Sequence, residues 1–278
     1  MQSTSSLEAA VENAFAPGST NTAAETRAIV DDLIGDLEAG RVRAAEPDDD
    51  GWRVNVWVKR GILLAFRCGQ IETLPAAGPM QFCDKDTLPP QGLPKGVRVV
   101  PGGTALRAGA HLAAGVVVMP PAYVNVGAFV GAGSMIDSHA LVGSCAQIGE
   151  RVHLSAAAQV GGVLEPVGEL PVIIEDDVLV GGNCGLYEGV LVRSRAVIAS
   201  GVILTRSTPI FDCIRECVHR PDPNGVLEVP RDAVVVMGSR PSRGAFAESS
   251  GLQISTPMII KYRDSSTDAR TALEAALR

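Results

Sequence analysis

Four groups of residues have types and spacings that can carry chemistry. Asp137 sits in GSMIDSHALVG (133–143), flanked by the small residues Ser134, Ser138 and Ala140. A carboxylate there can serve as a general base if burial or a neighbour raises its pKa. The alternative is a solvated or corner-capping aspartate. His111, His139 and His153 offer three imidazoles, enough in number for a zinc site with an open position. Cys213, Cys217 and His219 are close in sequence, but no second ligand pair accompanies them, which favours a structural role and no metal. Arg98 stands alone upstream, while SRPSRG (239–244) places Arg240 and Arg243 around a turn, with Lys261 and Arg263 nearby. Such side chains hold carboxylates or phosphates, although each taken singly also fits a solvated surface charge.

The elements that must position these residues follow from a period of six. An aliphatic residue falls at every sixth position in the run Val100, Leu106, Leu112 and onward to Leu154 and Val160. The row resumes as Ile174, Val180, Leu186, Val192, Ile198 and Leu204. Two residues earlier sits Ala, Ser, Thr, Val or Cys, with Arg98 the one exception. Neither the 3.6-residue helical period nor simple strand alternation gives this spacing; a hexapeptide β-helix does. Three hexapeptides make one triangular coil, stacking equivalent residues ~4.8 Å apart. The aliphatic and the small residue two before it point inward. Gly131, Gly143, Gly149, Gly161 and Gly181 directly follow an aliphatic, which suits close backbone packing near corners.

This frame aims the candidates. Asp137 follows the inward Ile136 and therefore points outward. Gly185 and Tyr187 flank the inward Leu186, and Glu188 falls on the inward phase or at a corner. His111 and His153 precede an aliphatic while His139 lies three after one, so the mismatch argues against a shared metal.

Three parts are expected. Residues 1–96 form an α-rich domain and linker: Leu7–Phe15 and Thr22–Ala39 have helical spacing, with Thr22 and Glu25 as a capping box. Glu46–Gly51 is an acidic turn, Trp52–Arg67 is a helix or a strand, and Leu74–Gly96 is a Pro/Gly-rich linker. Residues 97–210 form the β-helix. Its excursion at 161–173 adds two residues to an expected twelve and suits a binding lid. Residues 211–278 form a cap with strands at Val226–Gly238 and Leu252–Tyr262 and a short helix at Thr267–Arg278, closing the open end of the prism.

Composition narrows the partners. Aromatics make up 4% of the 278 residues, which suits a core of stacked aliphatics. The net charge of −7 argues against nucleic acid, though not against small anions met by a local basic cluster. No stretch is long and apolar enough for a membrane span, and MQSTSSLEAAVENAF lacks the features of a secretory leader. The six cysteines show no disulfide framework, so reduced thiols and a cytoplasmic location are expected.

The coil segments resemble the tetrahydrodipicolinate N-succinyltransferase family, within the broader hexapeptide acyltransferases. The matching runs include VRVVPG (97–102), YVNVGAFV (123–130), GSMIDSHALVGSCAQIGERVHLS (133–155), VGGVLEP (160–166), IIEDDVLVGG (173–182), YEGV (187–190) and STPI (207–210). Upstream, GWRVNVWVKRGILLAFR (51–67) looks like the family's N-terminal segment. The resemblance implies a mainly β protein built on a left-handed parallel β-helix, assembled as a homotrimer with active sites between prisms. It implies succinyl-CoA as co-substrate, no tightly bound cofactor, and ring-opened tetrahydrodipicolinate as the amine acceptor. Asp137 matches the family's acidic catalytic residue and Arg98 its substrate-binding arginine, with Ser155 beside them in the matched segment as a further substrate contact. Arg240, Arg243 and Lys261 are the cofactor-binding candidates. One departure stands out. A second acidic residue of the family falls at Gly185, leaving either Asp137 alone with Gly185 giving close backbone approach, or Glu188 taking part of the acid's role. Lysine and diaminopimelate biosynthesis is the implied context. The alternatives are a related acyltransferase using acetyl-CoA or another amine, and a non-catalytic scaffold or β-helix metalloprotein.

Overall fold

The computed structural model describes residues 4–49, 51–74 and 82–264. Three helices open the chain: α1 (Thr4–Phe15), α2 (Ala23–Glu38) and α3 (Val56–Cys68). α2 starts at the expected capping box. Thr22 Oγ1 accepts the Glu25 N–H at 3.2 Å, and the Glu25 carboxylate accepts the Thr22 N–H at 2.7 Å. The ambiguous Trp52–Arg67 segment divides: Gly51–Val54 pairs with Ala45–Asp48 as a hairpin, and α3 begins two residues later. The expected linker also holds a strand, Phe82–Lys85, paired with Ile71–Leu74. Leu7, Val11, Val30, Leu33 and Ile62 bury against Val126 and Cys145 of the coils, which fixes the helices to the prism.

From residue 98 onward, strands of two or three residues form three parallel sheets, the faces of a β-helix. The first face contains Arg98–Val99, Val117–Val118, Met135–Ile136, His153–Leu154, Leu179–Val180 and Val197–Ile198. The second contains Ala105–Leu106, Tyr123–Val124, Leu141–Val142, Gln159–Val160, Gly185–Leu186 and Ile203–Leu204. The third contains His111–Leu112, Phe129–Val130, Gln147–Ile148, Ile173–Ile174 and Val190–Val192. The aliphatic ladder is buried inside with the small residues two before it. Each fully buried ladder side chain contributes roughly 1.5–3 kcal/mol.

Two details of the frame differ from the sequence reading. The first ladder residue is Val99, not Val100: Val99 pairs with Val118 and Arg98 with Val117. An additional residue in the corner Pro101–Gly102–Gly103–Thr104 absorbs the slip, with φ of 141° at Gly102 and 89° at Gly103. The inward residue two earlier is then the buried Val97, so Arg98 is no exception to the rule of small or apolar inward neighbours. The second difference is the excursion. Ile148 pairs with Ile174, 26 residues on, where Val130 pairs with Ile148 after 18; the loop adds eight residues, not two.

Corners recur three residues after the ladder position, where the chain takes left-handed φ. His139 (63°), Cys145 (65°), Arg151 (53°), Ala157 (59°) and Asp177 (59°) all occupy it, as do Gly109, Gly115 and Gly127. This puts His139 at a corner and explains its different phase from His111 and His153. The glycines directly after the ladder serve close packing. At Gly131 a Cβ would lie 2.5 Å from the Gly149 backbone of the next coil.

The 161–173 excursion is a seat for the helices and not a free lid. Lys59 of α3, wholly buried, donates from Nζ to the Glu169 carbonyl at 2.6 Å. The Glu169 carboxylate pairs with Arg206, and Val163 N–H donates to Ser144 O at 3.1 Å. Burial depresses the Lys59 ammonium, since the charged form loses its hydration.

The coils continue beyond residue 210. Leu227–Val229 extends the third face and Ala233–Pro241 the first. Ala233–Pro241 then pairs antiparallel with Gln253–Tyr262, which pairs in parallel with Ile210–Asp212. Ile210–Asp212 makes a hairpin with Cys217–His219, and the short α4 (Ala245–Ser249) lies between the two long strands. Of the two expected C-terminal strands, Leu252–Tyr262 is present as Gln253–Tyr262, whereas Val226–Gly238 divides into Leu227–Val229 and Ala233–Pro241, which join different faces. The expected helix Thr267–Arg278 lies outside the described residues.

Candidate active site

The first face carries Asp137, Ser155 and Arg98 on its outer wall. Asp137 follows Ile136 and Ser155 follows Leu154, and these two ladder residues are paired. The two outward side chains therefore occupy the same column one strand apart, about 4.8 Å along the prism axis. Arg98 precedes Val99 two coils toward the N-terminal end, about 10 Å along the same axis. Arg98 is exposed, while Asp137 and Ser155 are half-buried. The backbone N–H groups of Asp137 and Ser155 are bonded to Leu154 O and Val180 O at 2.9 Å each, so the strand ladder fixes both positions. Asp137 Oδ1 accepts the Ser138 N–H at 2.7 Å. Among the described residues no other hydrogen bond or ion pair reaches this carboxylate, which leaves Oδ2 open to a substrate.

Gly185 and Glu188 lie elsewhere in the protomer. Gly185 is on the second face, buried, with its N–H donated to Val202 O at 3.0 Å. That N–H is not available to an oxyanion. The group that approaches Gly185 closely is Tyr187: a Cβ at 185 would lie 2.6 Å from Tyr187 Cε2 and 2.9 Å from Ile203 Cδ1. Glu188 takes the corner rather than the inward phase and is exposed. One chain thus does not bring Gly185 or Glu188 to Asp137.

The C-terminal arginines converge. Arg240, Arg243 and Arg220 line one cavity of about 370 Å³ with Phe211, Ser242 and Ile254. Arg240 Nε is buried without a hydrogen-bond partner among the described residues. Its guanidinium carbon stands 5.9 Å from the centre of the Phe211 ring. Three guanidiniums around one cavity suit a phosphate or carboxylate. Arg220 escaped the sequence reading because it lies 20 residues upstream of Arg240; only the Cys217–His219 strand returns it to the site. Lys261 does not join them. It pairs with Val234, whereas Arg240 pairs with Ile254, seven residues away along the same strand or about 24 Å. Lys261 Nζ instead lies 3.4 Å from Asp264. A larger cavity of about 560 Å³ is bordered by Leu74, Phe82, Val99, Arg107 and Tyr123, and Asp137 is not part of its lining.

Hexapeptide coils with an outward aspartate and a basic cap define a protein of the hexapeptide-repeat transferase class. Residues 171–206 match the hexapeptide repeat of succinyl-transferase, and residues 6–68 match the tetrahydrodipicolinate N-succinyltransferase N-terminal family. A 2,3,4,5-tetrahydropyridine-2,6-dicarboxylate N-succinyltransferase of Azoarcus sp. is 42% identical over 98% of this chain and 97% of its own. One from Bradyrhizobium diazoefficiens is 40% identical over 99% of both chains. Among solved structures, a Campylobacter jejuni protein described as a tetrahydropyridine-2-carboxylate N-succinyltransferase aligns at 18% identity and a TM-score of 0.44, covering 83% of this chain and 62% of that one. On the full-length relatives, the chain belongs to the tetrahydrodipicolinate N-succinyltransferase family and is an acyltransferase. Among the described residues, no helix is long and apolar enough to cross a membrane.

Proposed function

We propose that the protein transfers the succinyl group of succinyl-CoA to the amine of ring-opened tetrahydrodipicolinate, as a step of lysine and diaminopimelate synthesis. The observation that carries this reading is the placement of Asp137 beside Ser155 on one outer wall, next to the paired Ile136 and Leu154, with Asp137 Oδ2 uncommitted. The acceptor amine attacks the thioester carbonyl, forming the C–N bond. Asp137 takes the amine proton, the C–S bond breaks, and the CoA thiolate leaves and is protonated. Arg98 and Ser155 hold the acceptor's polar groups on the same wall. Arg240 and Arg243, joined by Arg220, meet the phosphates of CoA in the cap cavity. Lys261, paired with Asp264, takes no part in that cluster.

The assembly we infer is a homotrimer of left-handed prisms with the active sites between neighbours. Its support is the separation within one chain: Asp137 lies on the first face and Gly185 with Glu188 on the second, so a site using both would be completed by a neighbouring prism. In that arrangement Gly185 and Tyr187 of one prism shape the wall opposite Asp137 of another. The six free cysteines support a reducing, cytoplasmic setting.

Thiol release from succinyl-CoA and acetyl-CoA, each with and without the acceptor, tests the reaction. Acceptor-dependent release with a preference for succinyl-CoA is expected. Equal or better use of acetyl-CoA would move the assignment to a related acyltransferase, and no acceptor-dependent release with either donor would end it.

A further inference from the structure

The cap hairpin brings together three potential metal ligands that are separated in sequence. Asp212 lies directly across the antiparallel pair from Cys217. His219, two residues beyond Cys217, shares its face of the strand. His219 Nε2 is 3.3 Å from Asp212 Oδ2 and 3.8 Å from Cys217 Sγ, and the three ligand atoms all lie within 4.8 Å of one another. A tetrahedral zinc ion, with bonds of about 2.0–2.1 Å to nitrogen or oxygen and about 2.3 Å to sulfur, has an N···O edge near ~3.3 Å and an N···S edge near ~3.6 Å. The two spacings at His219 are already close to the edges of such a coordination shell, and the Asp212–Cys217 edge, within 4.8 Å, closes by a side-chain rotation of the exposed Cys217.

The surroundings add an outer shell. Asp212 Oδ1 accepts the N–H groups of Ile214 at 3.0 Å and Arg215 at 2.9 Å, and Oδ2 accepts the Tyr262 hydroxyl at 2.6 Å. The carboxylate is thus oriented before any ion arrives, as outer hydrogen bonds orient metal ligands. Asp212 is buried, His219 half-buried and Cys217 exposed, which gives an ion a route in and room for a fourth ligand.

We propose that Asp212, Cys217 and His219 bind one divalent ion of the zinc class, with water in the fourth position. Binding releases the Cys217 thiol proton to solvent and requires the His219 tautomer with Nε2 unprotonated. Phe211 and Arg220 alternate to the opposite face of the same hairpin, where they line the arginine cavity. The ion clamps the hairpin that delivers Arg220 to that cavity.

The test is titration of the metal-free full-length protein with Co²⁺, followed by displacement with Zn²⁺. One Co²⁺ per chain is expected, with thiolate-to-cobalt charge-transfer absorption and the intense visible bands of tetrahedral cobalt, all removed by one equivalent of Zn²⁺. Cys217→Ser should abolish the charge-transfer band, while Cys213→Ser should leave it intact. His219→Gln should weaken binding by ~100-fold and Tyr262→Phe by ~10-fold. A wild-type protein with no charge-transfer band, or with only the weak bands of octahedral cobalt, would overturn the proposal. A band lost in Cys213→Ser but kept in Cys217→Ser would overturn it equally. Wild type and Cys213→Ser decide the matter even if another variant fails to fold.

Discussion

Two aspartates in two regions show how differently this chain holds a carboxylate. Asp137 lies on the open wall of the regular coils, half-buried, with one hydrogen bond from its own neighbour. Asp212 lies in the irregular cap, buried, with donors from Ile214, Arg215 and Tyr262 and with His219 Nε2 3.3 Å away. Burial alone would raise the Asp212 carboxyl, but these hydrogen bonds outweigh it and hold it at about 2, while burial and the same contact push the Tyr262 phenol up to about 12. A carboxylate surrounded by protein donors resists protonation and is fixed in place, which suits anchoring or ligation. One with a free oxygen on an open wall can accept a substrate proton. The repeat supplies an exposed, repeatable platform; the cap supplies side-chain networks that the repeat has no room to build.

The sharpest way to break this comparison is to neutralise both carboxylates with near-isosteric amides. Asp137→Asn should lower kcat by ~10²–10⁴-fold, the range for loss of a general base, with the melting temperature and oligomeric state nearly unchanged. Asp212→Asn should do the reverse, costing about 1.5–3 kcal/mol of stability because charge-assisted hydrogen bonds are lost in a buried site. Denaturant melts and steady-state kinetics on the two variants read both arms. Near-normal turnover in Asp137→Asn would remove it as the base, and a stability loss there equal to that of Asp212→Asn would erase the distinction between the regions.

A smaller effect is expected within the cap itself. Arg240→Gln removes one of three guanidiniums from a cavity too far from Asp137 along the fold to touch the reacting atoms in the same protomer. KM for the CoA donor should rise by ~10-fold, the size of one charge-assisted contact, with kcat held. Added salt should shrink the difference between wild type and variant. A fall in kcat at unchanged KM would place Arg240 in the chemistry and would merge the two regions into one functional unit.

The difference between the regions also governs what could be read from sequence. The period gave the ladder and the outward direction of Asp137, because a stacked coil converts sequence phase directly into position; the proximity of Asp137 to Ser155 emerged only from the strand pairing. It failed where the count changes: the additional corner residue after Val99 and the eight residues of the excursion are visible only in the pairings. The excursion's role was hidden too, since the buried Lys59 that pins Glu169 lies in a helix 110 residues away. In the cap, nothing repeats. Asp212 gives no signal as a neighbour of Cys217 and His219 until the hairpin pairs them, and Arg220 gives none as a partner of Arg240. Grouping Lys261 with the arginines because they are close in sequence fails as well, because seven residues along an extended strand span about 24 Å.

Gly185 offers the finest test, because here the regular wall itself departs from its pattern. On the second face the equivalent outward positions carry Tyr123, Leu141, Gln159 and Ile203, all with side chains. At Gly185 that space belongs to the Tyr187 ring, which also stands 3.1 Å from where a Cβ on Gly161 would lie. The glycine therefore allows Tyr187 to lie flat along the wall. In Gly185→Ala the new methyl meets the far edge of a half-buried ring and the end of Ile203, both able to shift, so the stability cost should be about 1 kcal/mol. In the trimer proposed above, where this ring faces Asp137 of a neighbouring prism, displacing it should lower kcat/KM by more than that stability loss suggests, by several-fold. Tyr187→Ala in the same background separates the causes. If the ring is what the glycine accommodates, the Gly185→Ala stability penalty should vanish in the double variant, giving a coupling of ~1 kcal/mol in the cycle. Additive penalties would show that Gly185 is needed for its own backbone and not for Tyr187, and the second face would then be as uniform a wall as the first.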